Sequence, residues 1–571
     1  MRYMVAGVVL LVALASVAMF VRNTQEGRAA ATVSRRMRLT RLTQTGNIRE
    51  LAISPDGRYI TFALHEGSTQ SLWLREVASG NELQLLAPNT VNFSGLEFSP
   101  DGALIYLIRS ERTNPSFSYL CTIPSAGGPG DQLIRDADSP VSFSPDGKRF
   151  VYTRGYPSRD ITEVRIAGRD GANDHALLDI PGHQVYEAGA TWSPNSKSIA
   201  VPIRVIGKAS RFLLYVISLS SARAVELYSS QGAIGRPMWL RSGDRLLVTL
   251  EDVHTHRGQL WTISYPDGEA RRLTNDLSDY SSAIDLTDDE TQLVTIVTDA
   301  VSNLWVASAD DLSRAAQVTS GEPSLFQIRA LPDRRLLASG GDVWVMDADA
   351  SHRTRFGQVE DPRSIEACRS SVLILRNKDG ITQVTRFGLD GSGGAAIIAG
   401  DVLSPVCSPD EKFVYYLNFN SIERIQRMST EDGSIADIAT VRGDTAFGNL
   451  TISPAGNWLA YPYQQYSPPF VALAVISAKG GPPIKQFQVP GSLGRIRWSP
   501  KGDALQYLNT QGGATNLWEQ RLEGGTPMQL THFRVGQMFD FDWSYDHKTL
   551  FMTRGQVTRD VVLIEDFQSS R

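Results

Sequence analysis

The chain has 571 residues, of which 42% are hydrophobic and 20% are charged. This length exceeds one ordinary hydrophobic core of about 100–200 residues, so we expect several domains or a repeat architecture. The composition excludes a wholly disordered or collagen-like chain. The net charge of −5 argues against a general nucleic-acid binder that relies on bulk positive charge.

The first predicted element is an apolar segment within residues 1–22. Met4 to Val21 carries only apolar or small side chains, and a helix of this length just spans a bilayer core of about 30 Å. We predict a single membrane anchor, with a cleaved signal peptide as the alternative. Residues 23–40 are polar and basic and predict a linker. Because long domains cross membranes largely regardless of charge, we expect the folded body outside the cytoplasm, although the arginines of the linker favour the opposite orientation.

A repeated motif organises the rest of the chain. An apolar residue followed by Ser-Pro-Asp-Gly occurs at Ile53–Gly57, Phe98–Gly102 and Phe143–Gly147. Variants of the motif begin at Trp192, Cys407, Ile452, Trp498 and Trp543. Consecutive copies lie about 45 residues apart, which is the length of a propeller blade.

Each copy predicts four short strands. Proline fixes the first central position of a tight turn, aspartate bonds to its own backbone, and glycine leaves the turn without steric cost. A β-branched and aromatic run such as Tyr59–Ala63 follows, then a strand centred on a tryptophan such as Trp73 or Trp261, then an ending such as Arg272–Thr274. We interpret the recurring tryptophans as packing between blades rather than as a carbohydrate platform.

The intervals without the motif fit further copies, with turns at Arg241–Asp244, at Thr287–Glu290, near Pro332 and near Arg369–Ser371. The count is twelve, which is too many for one ring. We therefore predict an all-β fold of tandem β-propellers, six blades plus six, after one N-terminal transmembrane helix. The expected domains are residues 41–316 and 317–567, with a tail at 568–571. Partitions of seven plus five or seven plus six stay open.

The repeat resembles the WD40-like or PD40 units of TolB-type propellers over nearly all of Arg41 to Phe567. A narrower likeness rests on the apolar segment, the basic linker, Thr40–Thr43 and the closing Thr553–Leu563. These features resemble the outer propeller half of acidobacterial membrane-bound serine/threonine protein kinases. In that family one membrane helix joins a cytoplasmic kinase to the propeller. This sequence departs from the family because no kinase motif occurs in it.

No catalytic motif stands out. Gly-x-Ser-x-Gly is absent, and we interpret Gly391–Gly394 as a repeat turn. His254 and His256 form the strongest metal-like pair, but no further ligand is identifiable and a solvated loop is the preferred interpretation. Asp285 and Asp288–Glu290 are interpreted as a solvated acidic turn rather than a calcium site. No cofactor is predicted.

The three cysteines, Cys121, Cys368 and Cys407, lie far apart in the sequence and specify neither a zinc site nor a disulfide framework. We interpret Cys407 as a small buried hydrophobic residue.

We expect a non-enzymatic protein of the bacterial cell membrane that binds a protein or small ligand at a propeller channel mouth, as a periplasmic sensor or scaffold. The alternatives are a detached sensor half acting with a separate cytoplasmic kinase, and a hydrolase or lyase with its active site in a propeller channel. Two or more carboxylates or histidines with perturbed pKa in one channel would favour an enzyme. If the signal peptide is cleaved, the protein is secreted to the periplasm.

Overall fold

The computed structural model describes residues 37–567 apart from a few short gaps. The gaps are residues 68, 112–113, 157–158, 160, 182, 186–187, 206–210, 253–254, 256, 322–323, 379–380, 419–423, 441–443, 447, 467–468 and 490–491. The predicted anchor, His254, His256 and the tail lie outside the described residues. Within the described part, no helix has the length and apolarity needed to cross a membrane.

The described residues form β-strands and connecting turns. In the first half the strands are β1 (Arg38–Arg41), β2 (Ile48–Ile53), β3 (Tyr59–Glu66), β4 (Thr69–Glu76), β5 (Glu82–Asn89), β6 (Val91–Phe98), β7 (Leu104–Glu111), β8 (Asn114–Pro124), β9 (Asp131–Arg135), β10 (Ser142–Phe143), β11 (Arg149–Tyr156), β12 (Ile161–Gly168), β13 (His175–Pro181), β14 (His183–Val185), β15 (Thr191–Trp192), β16 (Ser198–Val205), β17 (Arg211–Ser218), β18 (Ala224–Ser230), β19 (Met238–Trp239), β20 (Arg245–Glu251), β21 (Gly258–Ser264), β22 (Ala270–Arg272), β23 (Asp279–Leu286) and β24 (Gln292–Ser308).

In the second half the strands are β25 (Asp311–Gln317), β26 (Gln327–Ala330), β27 (Leu336–Ser339), β28 (Val343–Met346), β29 (Thr354–Arg355), β30 (Pro362–Ala367), β31 (Ser371–Lys378), β32 (Ile381–Gly388), β33 (Gly393–Ala399), β34 (Val402–Cys407), β35 (Phe413–Asn418), β36 (Arg424–Ser429), β37 (Ile435–Thr440), β38 (Asp444–Ala446), β39 (Thr451–Ile452), β40 (Trp458–Tyr466), β41 (Pro469–Ser477), β42 (Lys485–Gln488), β43 (Ser492–Trp498), β44 (Ala504–Gln511), β45 (Ala514–Arg521), β46 (Met528–Gln529), β47 (Gln537–Trp543) and β48 (Thr549–Glu565).

Among the described residues these strands pair into ten antiparallel sheets of four or five strands and one sheet of six. The all-β prediction is thereby confirmed, and the sheets agree with tandem propellers. Each sheet begins with an inner strand whose far end carries the Ser-Pro-Asp turn or its substitute, as at Ser54, Ser99 and Ser408. The predicted turns at Arg241–Asp244 and Thr287–Glu290 lie between β19 and β20 and between β23 and β24.

The sheets form two rings. In the first ring the sheets β2–β5, β6–β9, β10–β13, β14–β18 and β19–β22 pack in series through buried apolar clusters. The six-stranded sheet closes this ring, because Val294 and Val561 pack against Ile53 and Phe62. The second ring contains β26–β29, β30–β33, β34–β37, β38–β42 and β43–β46, and the same six-stranded sheet closes it. Tryptophans of third strands pack against these clusters, which fits the blade-packing interpretation: Trp73, Trp261, Trp305, Trp344 and Trp518.

The closing sheet is shared between the rings by two long strands. β24 pairs with β48 along its whole length, from Gln292 opposite Glu565 to Ser308 opposite Thr549. One end of this ribbon pairs with β1 and β23 in the first ring, and the other end pairs with β25 and β47 in the second. Residues 38–40, which the sequence analysis assigns to the linker, therefore belong to a strand. The rings also meet through a contact between β8 and β40.

The cysteine prediction is wrong. Cys368, directly after β30, and Cys407, at the end of β34, form a disulfide with their Cα atoms 6.0 Å apart. The two inner strands lie side by side in the second ring, so residues separated by 39 positions in sequence become neighbours. Cys407 is half-buried against the same apolar cluster, which agrees with its predicted packing but not with its predicted chemistry.

Candidate binding site in the first ring

A cavity of about 1020 Å³ lies at the centre of the first ring. Each of the six blades contributes to its lining, with Glu50, Ser94, Thr153, Arg204, Arg236 and Ser282 as one residue from each. Residues that flank hairpins between second and third strands, such as Ser110, Ser118 and Tyr156, also line it. The cavity therefore opens on the hairpin side of the ring, opposite the Ser-Pro-Asp turns.

Arg236, one of the lining residues, forms a buried ion pair. Nη2 of Arg236 donates to Glu97 Oε2 at 2.6 Å and to the Val141 carbonyl oxygen at 3.0 Å. Burial raises the pKa of Glu97, and Arg236 opposes this effect. Burial also disfavours the charged guanidinium, but Glu97 and Asp285 together raise the pKa of Arg236 above its ordinary value. The pair joins inner-strand segments of the second and fifth blades.

Asp285 closes the first ring from the sixth blade to the first. Its Oδ2 accepts a hydrogen bond from Ile53 N at 2.8 Å, and its Oδ1 accepts one from Leu286 N at 2.9 Å. The residue is 5% exposed. Burial, with repulsion from Glu97, raises the pKa of Asp285 to about 7. The predicted solvated acidic turn is thus wrong for Asp285, since this side chain belongs to the core of the ring, while Asp288 remains exposed at the turn.

One of the lining residues carries a buried hydroxyl with no hydrogen-bond partner among the described residues. Thr153 on β11 is 1% exposed and lines the cavity, and its backbone nitrogen donates to Ser139 Oγ at 3.0 Å. Its Oγ1 has no hydrogen-bond partner among the described residues. A buried hydroxyl of this kind costs about 1–3 kcal/mol unless another group supplies the bond.

In the second ring, charged side chains of the inner strands pair with one another. Arg329 donates to Asp540 Oδ2 at 2.6 Å and to Glu366 Oε2 at 2.8 Å. Arg495 lies 3.4 Å from Asp540 Oδ1, and Arg497 lies 3.7 Å from Asp542 Oδ1. Burial alone would raise the pKa of Asp540, but the three arginines hold it below its ordinary value. Because its charges are paired internally, this network supports the ring rather than offering an open site.

Other predicted candidates do not assemble into a site. No group of three or more potential metal ligands occurs among the described residues. Gly391 and Gly393 have positive φ in the turn before and at the start of β33, which fits their interpretation as turn residues.

The sequence analysis missed the charged channel residues, although a signal was present. Several lie two positions before the turn serine or its substitute: Glu97, Asp285, Arg329, Glu366, Arg497 and Asp542. Others lie four positions before it: Glu50, Arg236, Arg495 and Asp540. Because side chains alternate along a strand, both positions share one face. Charged residues at a position that is otherwise apolar or small therefore indicate the channel.

Comparisons with known proteins find only distant structural similarity. The sequence matches no protein family model and no curated protein. Similar solved structures include tricorn protease, at 13% identity and a TM-score of 0.34, covering 84% of this chain and 49% of that one. They also include TolB from Acinetobacter baumannii (14%, TM-score 0.28, 67% and 80%) and the propeller domain of the trilobed protease from Pyrococcus furiosus (12%, TM-score 0.27, 61% and 97%). The chain spans about half the length of tricorn protease.

Proposed function

We propose that this protein is a non-enzymatic, membrane-tethered binding protein that acts outside the cytoplasm as a sensor or scaffold. The observation that carries the proposal is the cavity of about 1020 Å³ to which six blades contribute. A closed ring holds such a cavity in one shape, so a ligand is bound with little loss of protein entropy. Polar side chains from different blades supply directional contacts.

The disulfide supports the proposed compartment. Disulfides such as Cys368–Cys407 persist in oxidising environments and are rare in the bacterial cytosol. Protease treatment of intact and of opened cells tests the orientation. We expect digestion as soon as the outer membrane is opened; protection that ends only when the inner membrane is ruptured would contradict a periplasmic body.

Binding in the cavity is tested with a variant that fills it. Ser94→Trp places a bulky side chain on β6 within the lining, and Ser392→Trp places the same side chain on an exposed turn of the second ring. We expect the wild type and Ser392→Trp to retain a specific partner from solubilised membranes and Ser94→Trp to lose it. Equal retention by all three proteins would place binding elsewhere.

One observation favours an enzyme as the second candidate. Glu97 and Asp285 are two carboxylates of one channel with raised pKa, which is the pattern named above for a channel hydrolase or lyase. Their contacts favour a structural role, because Asp285 accepts two backbone hydrogen bonds and Glu97 is held by Arg236. Turnover of chromogenic esters or glycosides by the wild type, abolished in Glu97→Gln, would establish the enzyme.

The kinase-associated alternative is tested separately. A detached sensor half needs a cytoplasmic kinase as its partner, so a kinase gene should adjoin this one and its product should co-purify with this chain from membranes. A neighbourhood without such a gene, together with no kinase among the retained proteins, would exclude this role.

A further inference from the structure

We propose that the second ring covers the mouth of the first-ring cavity and controls which ligands enter it, because bulky ligands pass only when the rings separate on the side away from the shared sheet. The inference rests on the proposed binding function and concerns the regulation of that same site. It follows from the register of the β24–β48 ribbon, from the contacts between the rings and from the side on which the cavity opens.

The shared ribbon turns the hairpin sides of the two rings towards each other. An inner strand begins on the hairpin side of its ring, and β23 begins at Asp279, opposite Thr298. In the second ring β47 begins at Gln537, opposite Gly555, which in turn lies opposite Ser302. Residues 299–301 alone separate the two hairpin sides along β24, a distance of about 10 Å in an extended strand.

The contacts between the rings lie away from the shared sheet. Two rings that face each other run in opposite senses around a common axis, so the second blade of one should meet the fourth blade of the other. In chain order β8 belongs to the second blade of the first ring and β40 to the fourth blade of the second ring, and these strands contact each other. The second ring therefore lies across the hairpin face of the first ring.

A pair of opposite charges spans the same gap. Arg204, at the hairpin end of β16, lies within electrostatic range of Asp401, which directly precedes β34, and lowers the pKa of that carboxyl, which burial otherwise raises. Arg204 is exposed and Asp401 is half-buried. An attraction between groups of this exposure contributes little to stability, so it holds the rings together without preventing their separation.

The cavity opens onto this gap. Arg204 belongs to its lining, and so do Ser110 and Ser118, which flank the hairpin between β7 and β8. The residues at the mouth of the cavity are thus on the strands that meet the second ring. Because β24 and β48 stay paired through the middle of the ribbon, the gap can widen only on the opposite side.

Cross-linking tests whether the two faces meet. Arg204→Cys with Asp401→Cys, in a Cys121→Ser chain whose disulfide is left intact, should be bridged within one chain by bismaleimidohexane. Arg204→Cys with Ser392→Cys is the matched control, because Ser392 lies on an exposed turn at the opposite face of the second ring. Bridging of the first pair alone is expected. Failure of the first pair to bridge, or equal bridging of both, would overturn the facing arrangement.

Thiol labelling tests the control of access. Ser94→Cys in the Cys121→Ser chain places one thiol in the cavity lining. Adding Asp401→Lys repels Arg204 and should speed labelling by a maleimide that carries a polyethylene glycol chain at least about threefold, with little effect on N-ethylmaleimide. Glu431→Lys, on an exposed turn at the other face of the same blade, should change neither rate. A large reagent that reacts equally fast with and without Asp401→Lys would overturn the control of access.

The membrane capture experiment separates this inference from the proposed function. Loss of the partner by Ser94→Trp and by the bridged Arg204→Cys/Asp401→Cys protein, but not by its unbridged form, supports both proposals. If Ser94→Trp loses the partner and the bridged protein retains it, the cavity binds the partner and the control of access is wrong. If Ser94→Trp retains the partner, the proposed site is wrong, while cross-linking and labelling still decide whether the second ring covers the cavity.

Discussion

The serine of each Ser-Pro-Asp turn forms two hydrogen bonds that hold the first two strands of a blade together. Ser99 Oγ donates to Asp101 Oδ1 at 2.6 Å and accepts from Leu104 N at 2.9 Å. The same pair of bonds occurs at Ser54, Ser144, Ser193, Ser408 and Ser544. The hydrogen bond from Ser99 is the largest of the effects on the carboxyl of Asp101, whose pKa is lowered to about 2.

Replacement of this serine should destabilise the blade. Ser99→Ala removes the acceptor of Leu104 N and the donor to Asp101, so we expect a loss of about 1–3 kcal/mol of unfolding free energy. Ser220→Ala, on an exposed turn, should change it by less than about 0.5 kcal/mol. Urea unfolding measures both. Equal midpoints for the two variants would show that the hydroxyl bridge is dispensable.

Two aspartates four residues apart should respond to pH in opposite ways. Burial raises the pKa of Asp285 to about 7. The contribution of this carboxyl to the free energy of unfolding is therefore greatest below about pH 4 and is lost as the pH rises towards 7. Hydrogen bonds from Thr287 and Thr291 lower the pKa of Asp289, so its contribution is present above about pH 4 and is lost in acid.

Asparagine variants separate these effects. Relative to the wild type, Asp285→Asn should become progressively more stable as the pH rises from 5 to 8. Asp289→Asn should be less stable than the wild type at neutral pH, and this difference should disappear as the pH falls below about 4. Thermal unfolding across this range is the measurement. A pH-independent difference for Asp285→Asn would mean that the carboxyl does not titrate in the folded protein.

At the scale of the element, a threonine secures the outer strand to the third strand of several blades. The backbone nitrogens of Leu260, Leu304 and Leu517 donate to Thr274, Thr319 and Thr531 at 3.0, 2.9 and 2.9 Å. Val561 N donates to Thr43 in the same way, at 2.9 Å, and Thr43 donates to Asp560. The Leu-Thr ending in the sequence therefore marks an outer strand. Arg41–Thr43 is such an ending, and the strand with which it pairs, β48, comes from the far end of the chain.

This interpretation predicts a specific effect of Thr43→Val. The change leaves Val561 N without its acceptor and removes one of the donors to Asp560, which keeps those from Gly46 N and Arg41, so β1 should detach more readily, at a cost of about 1–3 kcal/mol. Hydrogen exchange at Leu42, whose N–H donates to the Val561 carbonyl at 2.8 Å, should be faster. Thr40→Val lies on the same strand and keeps the bond, so it serves as the matched control; equal exchange in both variants would contradict the role of Thr43.

The disulfide also acts at the scale of the element, because it joins two neighbouring inner strands. Reagents that modify thiols should label one cysteine, Cys121, in the unreduced, unfolded chain and three after reduction. Cys368→Ser should lower the unfolding free energy by about 3–4 kcal/mol for a loop of 39 residues. Cys121→Ser is the control. Three reactive thiols without reduction would refute the bond.

At the scale of the whole molecule, the β24–β48 ribbon couples the two rings. Each strand is the second strand of a blade in one ring and the third strand of a blade in the other. Gly555 lies where the ribbon passes between the rings, opposite Ser302 and Gln537. A Cβ on Gly555 would lie 1.8 Å from the Val301 carbonyl oxygen, so the strands approach each other closely only because this residue is glycine.

Gly555→Ala should therefore destabilise both rings together. Backbone atoms of Val301 and Ser302 meet the added carbon, so we expect a loss of at least about 3 kcal/mol and a low soluble yield. At Gly155 the nearest atom to an added Cβ is 3.6 Å away, and Gly155→Ala should be tolerated. Calorimetry with one shifted transition for Gly555→Ala would support coupling; a shift of one ring alone would contradict it.

The sequence by itself determined the all-β fold, the four-strand repeat and most turns. These features follow from local chemistry, since proline, aspartate, glycine and β-branched residues act within a few positions of one another. Only the tertiary structure decided which strands close the rings, which charged side chains meet around Arg236, and which cysteines pair. Those outcomes depend on contacts such as Arg41 with Val562, between segments that the sequence places hundreds of residues apart.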